Sequence, residues 1–179
     1  GVFAYYTGQT EMDDYTITGE PEFMNNILVN FDQLVAGKWG YKTMKYWPNT
    51  PGDKISFYAY GPYDDPINGT TNAIAVTTAA TSKPVLTYTV VPDFKQHMDV
   101  LFTPAQEDQT KTDGVVDMTF YHALSRVGFK VYSAADYGST SIVLTGVTLA
   151  GKFYTYGEMD LGTASITTED DDSNPETPE

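Results

Sequence analysis

The chain has 179 residues, enough for one domain that folds without a disulfide or a metal, and 41% of them are hydrophobic. Its net charge of −14 predicts that nucleic acid is not a partner and disfavours anionic membranes, because phosphate groups are repelled by so acidic a chain. It has no cysteine and no run of about 18 apolar residues, which excludes thiol catalysis, cysteine-based metal sites and a membrane-spanning segment of the mature chain.

Apolar and polar residues alternate with a period of two along much of the chain, a pattern typical of strands that bury one face. Within residues 54–60, Ile55, Phe57 and Ala59 fall on one face, and Lys, Ser and Tyr residues fall on the other. This alternation, together with short apolar runs, predicts strands at residues 2–6, 27–31, 41–46, 54–60, 85–91, 116–121, 127–132, 141–148 and 152–156.

Turn-forming residues separate the predicted strands. Residues 48–53 and 64–69 contain the Pro, Asn and Gly that tight turns require, and an Asp-Gly pair at residues 113–114 predicts a reversal of the chain. No long stripe of helical period lies between the strands, so we expect at most a turn or two of helix, at residues 94–101 or 134–137. Many short strands without intervening helices predict an all-β fold, an antiparallel β-sandwich with little helix.

The two ends of the chain differ from its middle. Residues 168–179 are acidic and contain Pro, and they lack a large apolar residue that could anchor a core. We therefore predict a β-sandwich domain over residues 1–166 and a linker or tail over residues 167–179. Gly1 stands directly before the strand predicted at residues 2–6, and we expect that an N-terminal piece is missing.

His122 is the side chain most open to a chemical interpretation, since His can act as a general base or a metal ligand. It continues the inward-facing series of the strand predicted at residues 116–121. The chain has one other His, His97, and no local group of Asp, Glu and His that would complete a metal site. We therefore predict that His122 is a core residue hydrogen-bonded to a neighbouring carbonyl, and that the chain binds no metal.

Carboxylates, which work in pairs when they hydrolyse glycosides, are plentiful. They gather in predicted turns and in the acidic tail, where solvated charge explains them. The chain has no Gly-x-Ser-x-Gly, His-Glu-x-x-His or Gly-rich phosphate-binding motif. The sequence thus predicts a protein that is not an enzyme and uses no cofactor.

A Tyr-rich stretch offers candidate contact residues. Tyr58 and Tyr60 fall on the outward face of the strand predicted at residues 54–60, and Tyr63 follows in the next turn. An exposed Tyr can stack on a sugar ring or anchor a protein interface. Outward-facing Tyr is also favourable in any strand, so this stretch is consistent with either ligand contact or scaffold.

Four sequence blocks occur in an order that is specific enough to suggest a family. A Trp-Pro pair at residues 47–48 precedes the strand Ile-Ser-Phe-Tyr-Ala-Tyr-Gly-Pro at residues 55–62. Asp-Val-Leu-Phe follows at residues 99–102, then the block with Phe-Tyr-His-Ala-Leu at residues 116–131 and an apolar run at residues 143–149. In these features the chain resembles the N-terminal domain of the fimbrillin-like pilus and adhesin subunits of Bacteroidetes.

The resemblance implies a transthyretin-like Greek-key β-sandwich in a structural or adhesive subunit of fimbriae. Such proteins are exported as lipoproteins to the outer membrane surface, and other pilus subunits are their partners by strand exchange. Proteolysis removes a leading segment with the first strand, and the opened groove accepts a strand from the next subunit. For this chain the resemblance implies that the assembly edge is formed by Val2, Phe3, Ala4, Tyr5 and Tyr6.

Family members usually continue, after a linker, into a second sandwich domain. Host or bacterial surface ligands are further partners that the resemblance implies. An alternative function remains open, that of a surface carbohydrate-binding β-sandwich module in a glycan-utilisation system. Such a module would present several Tyr or Trp side chains in one exposed plane.

Overall fold

A computed structural model of the protein describes residues 1–32, 36–63, 73–111, 114–132 and 142–168. Within these ranges the chain forms twelve strands and one short 3₁₀ turn at Phe94–Gln96. The strands are β1 (Val2–Gly8), β2 (Met24–Ile27), β3 (Asn30–Phe31), β4 (Trp39–Gly40), β5 (Lys54–Gly61), β6 (Ile74–Thr77), β7 (Val85–Thr89), β8 (Leu101–Phe102), β9 (Gln106–Thr110), β10 (Tyr121–His122), β11 (Tyr156–Asp160) and β12 (Ser165–Thr168). The prediction of an all-β fold with little helix is confirmed.

The strands form two main antiparallel sheets. The first sheet has the order β10-β8-β5-β1-β2, and β9 also pairs with β5. The second sheet has the order β12-β11-β7-β6, and β3 and β4 form a separate hairpin. β1 and β5 run side by side at the centre of the first sheet, in register from Val2↔Ala59 to Tyr6↔Ile55, and the register shifts before Gly8↔Lys54. Side chains of β1 and β5 belong to two apolar clusters of the domain, one on each face of the first sheet.

The two sheets face each other across an apolar core, which makes the fold a β-sandwich. Side chains of β1 and β5 meet side chains of β6, β7 and β11 there. Burying a large apolar side chain contributes roughly 1.5–3 kcal/mol, so this inner core is the main source of stability. Its members are Phe3, Tyr5, Met12, Tyr58, Tyr60, Ala73, Ile74, Leu86, Tyr88, Val100, Met159 and Leu161.

A second apolar cluster, which we call the outer core, covers the opposite face of the first sheet. β1, β2 and β5 supply its buried residues, and chain segments outside the strands supply most of the half-buried ones. As a result β5 is buried on both faces, although its alternating sequence predicts one exposed face. The outer core consists of Val2, Ala4, Met24, Ile55, Phe57 and Ala59, packed by Phe23, Ile27, Val29, Tyr41, Trp47, Val116 and Met118.

Several predicted elements are confirmed. The strands at residues 2–6, 54–60 and 85–91 correspond to β1, β5 and β7, and the one at residues 27–31 divides between β2 and β3. The short helical turn expected within residues 94–101 is the 3₁₀ turn. In each of these strands, a strong local pattern coincides with a neighbouring strand that forms backbone hydrogen bonds with it.

Other predicted strands are wrong. Residues 41–46, 127–132 and the described part of 141–148 belong to no strand, and residues 116–121 and 152–156 each contribute only their last residue. These segments carry apolar residues at suitable spacing, but a strand also needs another strand beside it. Periodicity fixes which side chains share a face and does not supply that partner.

The predicted domain boundary at residue 166 falls inside a strand. β12 continues to Thr168, which pairs with Gly157 of β11. The rest of the predicted tail, residues 169–179, lies outside the described residues, as do the turn at 64–69 and the helix at 134–137.

β9 has the polar sequence Gln-Glu-Asp-Gln-Thr. Apolar and polar residues do not alternate in it, so the sequence does not predict a strand there. Side chains hold it to β5: the Tyr58 hydroxyl donates to Glu107 at 2.5 Å, and the Asp108 N–H donates to the Ser56 hydroxyl at 2.9 Å. Lys83 adds a 2.7 Å ion pair to Glu107. Burial and the bond to Glu107 raise the pKa of Tyr58, which keeps its hydroxyl a donor. Burial lowers the pKa of Lys83, but the hydrogen bond and charge of Glu107, together with the charges of Asp13 and Asp160, raise it, so the net shift is upward and the ammonium stays charged.

Candidate assembly site

The strand expected to be the assembly edge, β1, is an interior strand. β5 pairs along one side of it, and β2 pairs with Val2 and Ala4 on the other. Phe3 and Tyr5 are buried in the inner core, and Tyr6 is 44% exposed. A strand with a neighbour on each side offers no free edge over the paired residues. Residues 2–4 therefore do not form an open edge, and an assembly edge at Tyr5 and Tyr6 stays a prediction.

The Tyr residues expected to be exposed lie mostly inside the domain. Tyr58 and Tyr60 are 0% and 2% exposed and belong to the inner core. Their hydroxyls donate to Glu107 and to the Asn26 side-chain oxygen. Tyr63 is half-buried. Because the outer core covers the other face of β5, the Tyr face points into the sandwich, and the prediction of exposure is wrong for Tyr58 and Tyr60.

His122 is also placed differently from the prediction. It lies in the two-residue strand β10 and is exposed, and its Nδ1 is 2.9 Å from a carboxylate oxygen of Asp99. Val116 and Met118 pack on the outer core as their spacing predicts, but the series does not continue inward to His122. The predicted core His bound to a carbonyl is therefore wrong.

An apolar groove lies beside the second sheet, and we call it the assembly groove. Its volume is about 210 Å³. Residues of β7, β11 and β12 line it together with residues 123–125. Two of its lining residues, Leu124 and Ile166, are 39% and 53% exposed, so the groove is accessible from outside. Its apolar lining is Leu86, Tyr88, Val90, Val100, Ala123, Leu124, Tyr154, Tyr156, Met159 and Ile166.

β12 is the edge strand next to the assembly groove. Among the described residues it pairs with β11 alone and so ends the second sheet, and all four of its residues are exposed. Ile166 and Thr168 also line the groove. An edge strand presents a row of backbone donors and acceptors to another strand. An extended segment that added to β12 could therefore form ladder bonds and place alternate side chains in the groove.

Two apolar segments continue from the groove walls into solvent. Residues 126–132 follow the wall residues 123–125, and residues 142–153 precede the wall residue Tyr154. None of these described residues belongs to a strand. Their large apolar side chains, 48–75% exposed, are Val127, Phe129, Val131, Tyr132, Ile142, Val143, Leu144, Val147, Leu149 and Phe153.

The lining of the assembly groove suits binding rather than bond-breaking chemistry. Its charged member is Glu158, whose carboxylate accepts a hydrogen bond from the Tyr156 hydroxyl. In the part of the chain that the structure describes, no three His, Asp or Glu side chains gather as metal ligands would. No helix among the described residues has the length and apolar character that crossing a membrane requires.

Comparisons with known proteins agree with the β-sandwich and identify its family. A family model for fimbrillin-like proteins matches residues 1–178, and the chain therefore belongs to the fimbrillin-like family. It is 30% identical over 159 residues to the fimbrium subunit Fim1C of Phocaeicola vulgatus, a match that covers 83% of this chain and 41% of that protein. A crystal structure of a fimbrial protein from Bacteroides vulgatus is similar, with a TM-score of 0.60, 28% identity and coverage of 68% of this chain and 38% of that one. The chain thus spans about two fifths of the length of these relatives.

Sequence reasoning missed the assembly groove because its lining comes from separate parts of the chain. One available signal was the Ser-Ile-Thr-Thr run of β12, which is rich in β-branched residues and favours a strand. The acidic residues that follow it predict a tail instead. The positions of Ala123 and Leu124 opposite β11 and β12 depend on tertiary structure, and no local pattern indicates them.

Proposed function

We propose that the chain is part of a structural subunit of bacterial fimbriae, which assembles with neighbouring subunits by strand exchange on the cell surface. The observation that supports this most is the open edge of β12 beside the apolar assembly groove. Membership of the fimbrillin-like family and two fimbrial relatives support the same conclusion. The proposal includes a role in adhesion, attachment at the outer membrane surface and no enzymatic activity. The transthyretin-like Greek-key connectivity stays a prediction.

Strand exchange at this place has a physical reason. An incoming strand would form hydrogen bonds with the backbone groups of β12 that no described strand pairs with. The same strand would bury its apolar side chains in the groove. Each large apolar side chain that enters the groove contributes roughly 1.5–3 kcal/mol. Several such side chains on one segment give a contact that dissociates slowly, as a fibre requires.

The experiment compares boiled and unboiled samples of surface fimbriae from the producing bacterium on an SDS gel, blotted with antiserum to this domain. We expect a ladder of bands in the unboiled lane that collapses to one band on boiling, because ladder bonds and buried side chains resist SDS until heat unfolds the domain. An unrelated surface protein on the same blot serves as the control. One band in both lanes would contradict strand exchange between copies of this subunit.

The alternative function, a carbohydrate-binding module, loses two of the three Tyr residues that suggested it. Tyr58 and Tyr60 are buried and their hydroxyls are engaged within the domain. A sugar-binding role would have to use other aromatic residues, so we do not adopt it as the main function.

A further inference from the structure

One short segment reverses the charge of this acidic chain. Residues 38–45 hold three of its ten basic residues, Lys38, Lys42 and Lys45. No Asp or Glu occurs between Asp32 and Asp53. In a chain with a net charge of −14, this is a local site where an anionic ligand meets attraction rather than repulsion.

Half-buried side chains of the segment pack against the domain and fix the position of its backbone. Tyr41 and Trp47 are half-buried and pack on the outer core, where the Trp47 ring lies 5.9 Å from the Phe57 ring. Near its start, Trp39 of β4 contacts Phe31 of β3 edge to face, with ring centroids 5.7 Å apart, a contact that orders this strand pair itself. A surface anchored at several points loses less conformational entropy when it binds a ligand.

Along residues 38–46, lysine side chains alternate with exposed Trp, Met and Tyr side chains. Trp39 is 72% exposed, Met44 59% and Tyr46 76%. The nearest carboxylate along the chain on the N-terminal side, Asp32, accepts a hydrogen bond from the Gly37 N–H within the β3–β4 hairpin. We call the exposed set Lys38, Trp39, Lys42, Met44, Lys45 and Tyr46 the Lys-aromatic strip.

We propose that the Lys-aromatic strip binds an acidic polysaccharide. The ring faces of Trp39 and Tyr46 suit the flat C–H faces of sugar rings, and the lysine ammonium groups suit the carboxylate or sulfate groups that such a polymer carries at intervals. An acidic peptide would use the lysines without the aromatic faces. An anionic bilayer is a broad plane that would also meet the acidic surface around the strip. A single polysaccharide chain touches the strip alone.

This site is separate from the assembly groove. The strip lies over the outer core on the first sheet, whereas the groove is lined by strands of the second sheet. Binding of polysaccharide and assembly into fibres therefore use different surfaces, and a subunit within a fibre can keep the strip free. The inference does not depend on the proposed strand exchange.

The test measures binding of the purified full chain to chondroitin sulfate and to neutral dextran at low and high salt. We expect binding to chondroitin sulfate alone, weakened by salt because the contact is partly electrostatic. The triple variant Lys38→Ala, Lys42→Ala, Lys45→Ala should lower the affinity about tenfold or more, and Trp39→Ala about tenfold. The matched controls are the triple variant Lys95→Ala, Lys111→Ala, Lys152→Ala, with the same change of charge, and Phe94→Ala, which removes another exposed aromatic ring.

Three results would overturn the proposal. One is the absence of binding to chondroitin sulfate, and another is equal binding by the strip variant and the charge-matched control. The third is tighter binding to an acidic peptide with the sequence of residues 168–179, or to vesicles with anionic lipid, than to the polysaccharide. Circular dichroism of each variant shows whether it is folded, and Trp39→Ala keeps the test informative if the triple lysine variant is not.

Discussion

Replacing Tyr58 with Ala should cost about 3–5 kcal/mol of unfolding free energy, the usual loss when a large buried ring is removed. Tyr58 is fully buried, and its ring stands edge to face with Tyr5 at 6.0 Å. The change empties part of the inner core and removes the donor to Glu107. Since domains of this size have about 5–15 kcal/mol of stability in total, the loss is a large share. Urea unfolding followed by the fluorescence of the two Trp residues measures it.

Two further variants separate the parts of this effect. Tyr58→Phe keeps the ring and removes the hydroxyl, so it should cost about 1–3 kcal/mol for the lost bond to a charged group. Tyr46→Ala removes a ring that is 76% exposed and should change stability by less than about 0.5 kcal/mol. If Tyr58→Ala costs no more than Tyr46→Ala, then Tyr58 does not lie in the inner core as described.

Replacing Ala123 with Trp should abolish most assembly while leaving the domain folded. Ala123 is half-buried and lines the assembly groove. An indole at this position occupies space that an incoming strand needs for its side chains, and each apolar side chain kept out forfeits roughly 1.5–3 kcal/mol. We expect at least about tenfold less heat-sensitive ladder on an unboiled SDS gel of cells that express the variant.

Matched variants keep this prediction specific. Ala80→Trp adds the same side chain at an exposed position outside the groove and should leave the ladder intact. Leu124→Glu places a charge in the groove at a residue already 39% exposed, so it should block assembly even if the bulk of Ala123→Trp disturbs the fold. A normal ladder from both groove variants would show that subunits join elsewhere.

The sequence predicts the central strands of this fold well because their signals are local. β5 is recognisable from the alternation of Ile55, Phe57 and Ala59 with Tyr58 and Tyr60. Alternation shows that a strand has two different faces. It does not show that chain segments from elsewhere cover the second face, and for this reason the sequence predicts an exposed Tyr58 where the structure buries it.

The candidate sites are less predictable because they depend on contacts between distant segments. β9 is held by hydrogen bonds of Glu107 and Asp108 with residues of β5, and its polar sequence does not predict a strand. The assembly groove combines Leu124 with β12, some forty residues later in the chain. By contrast, the Lys-aromatic strip is visible in the sequence, and the structure adds which of its side chains are exposed and which are anchored.

The most direct test of assembly at the groove is photocrosslinking in intact fimbriae. A benzoylphenylalanine at Tyr154, an aromatic residue that lines the assembly groove and is 57% exposed, adds little bulk and places the reactive group in the groove. The same residue at Phe94, which is 73% exposed, places it outside the groove. We predict that illumination links the Tyr154 variant to a neighbouring subunit through an extended segment that mass spectrometry identifies, and that the Phe94 variant forms no such link. Links to a neighbour from Phe94 and none from Tyr154 would contradict assembly at this groove.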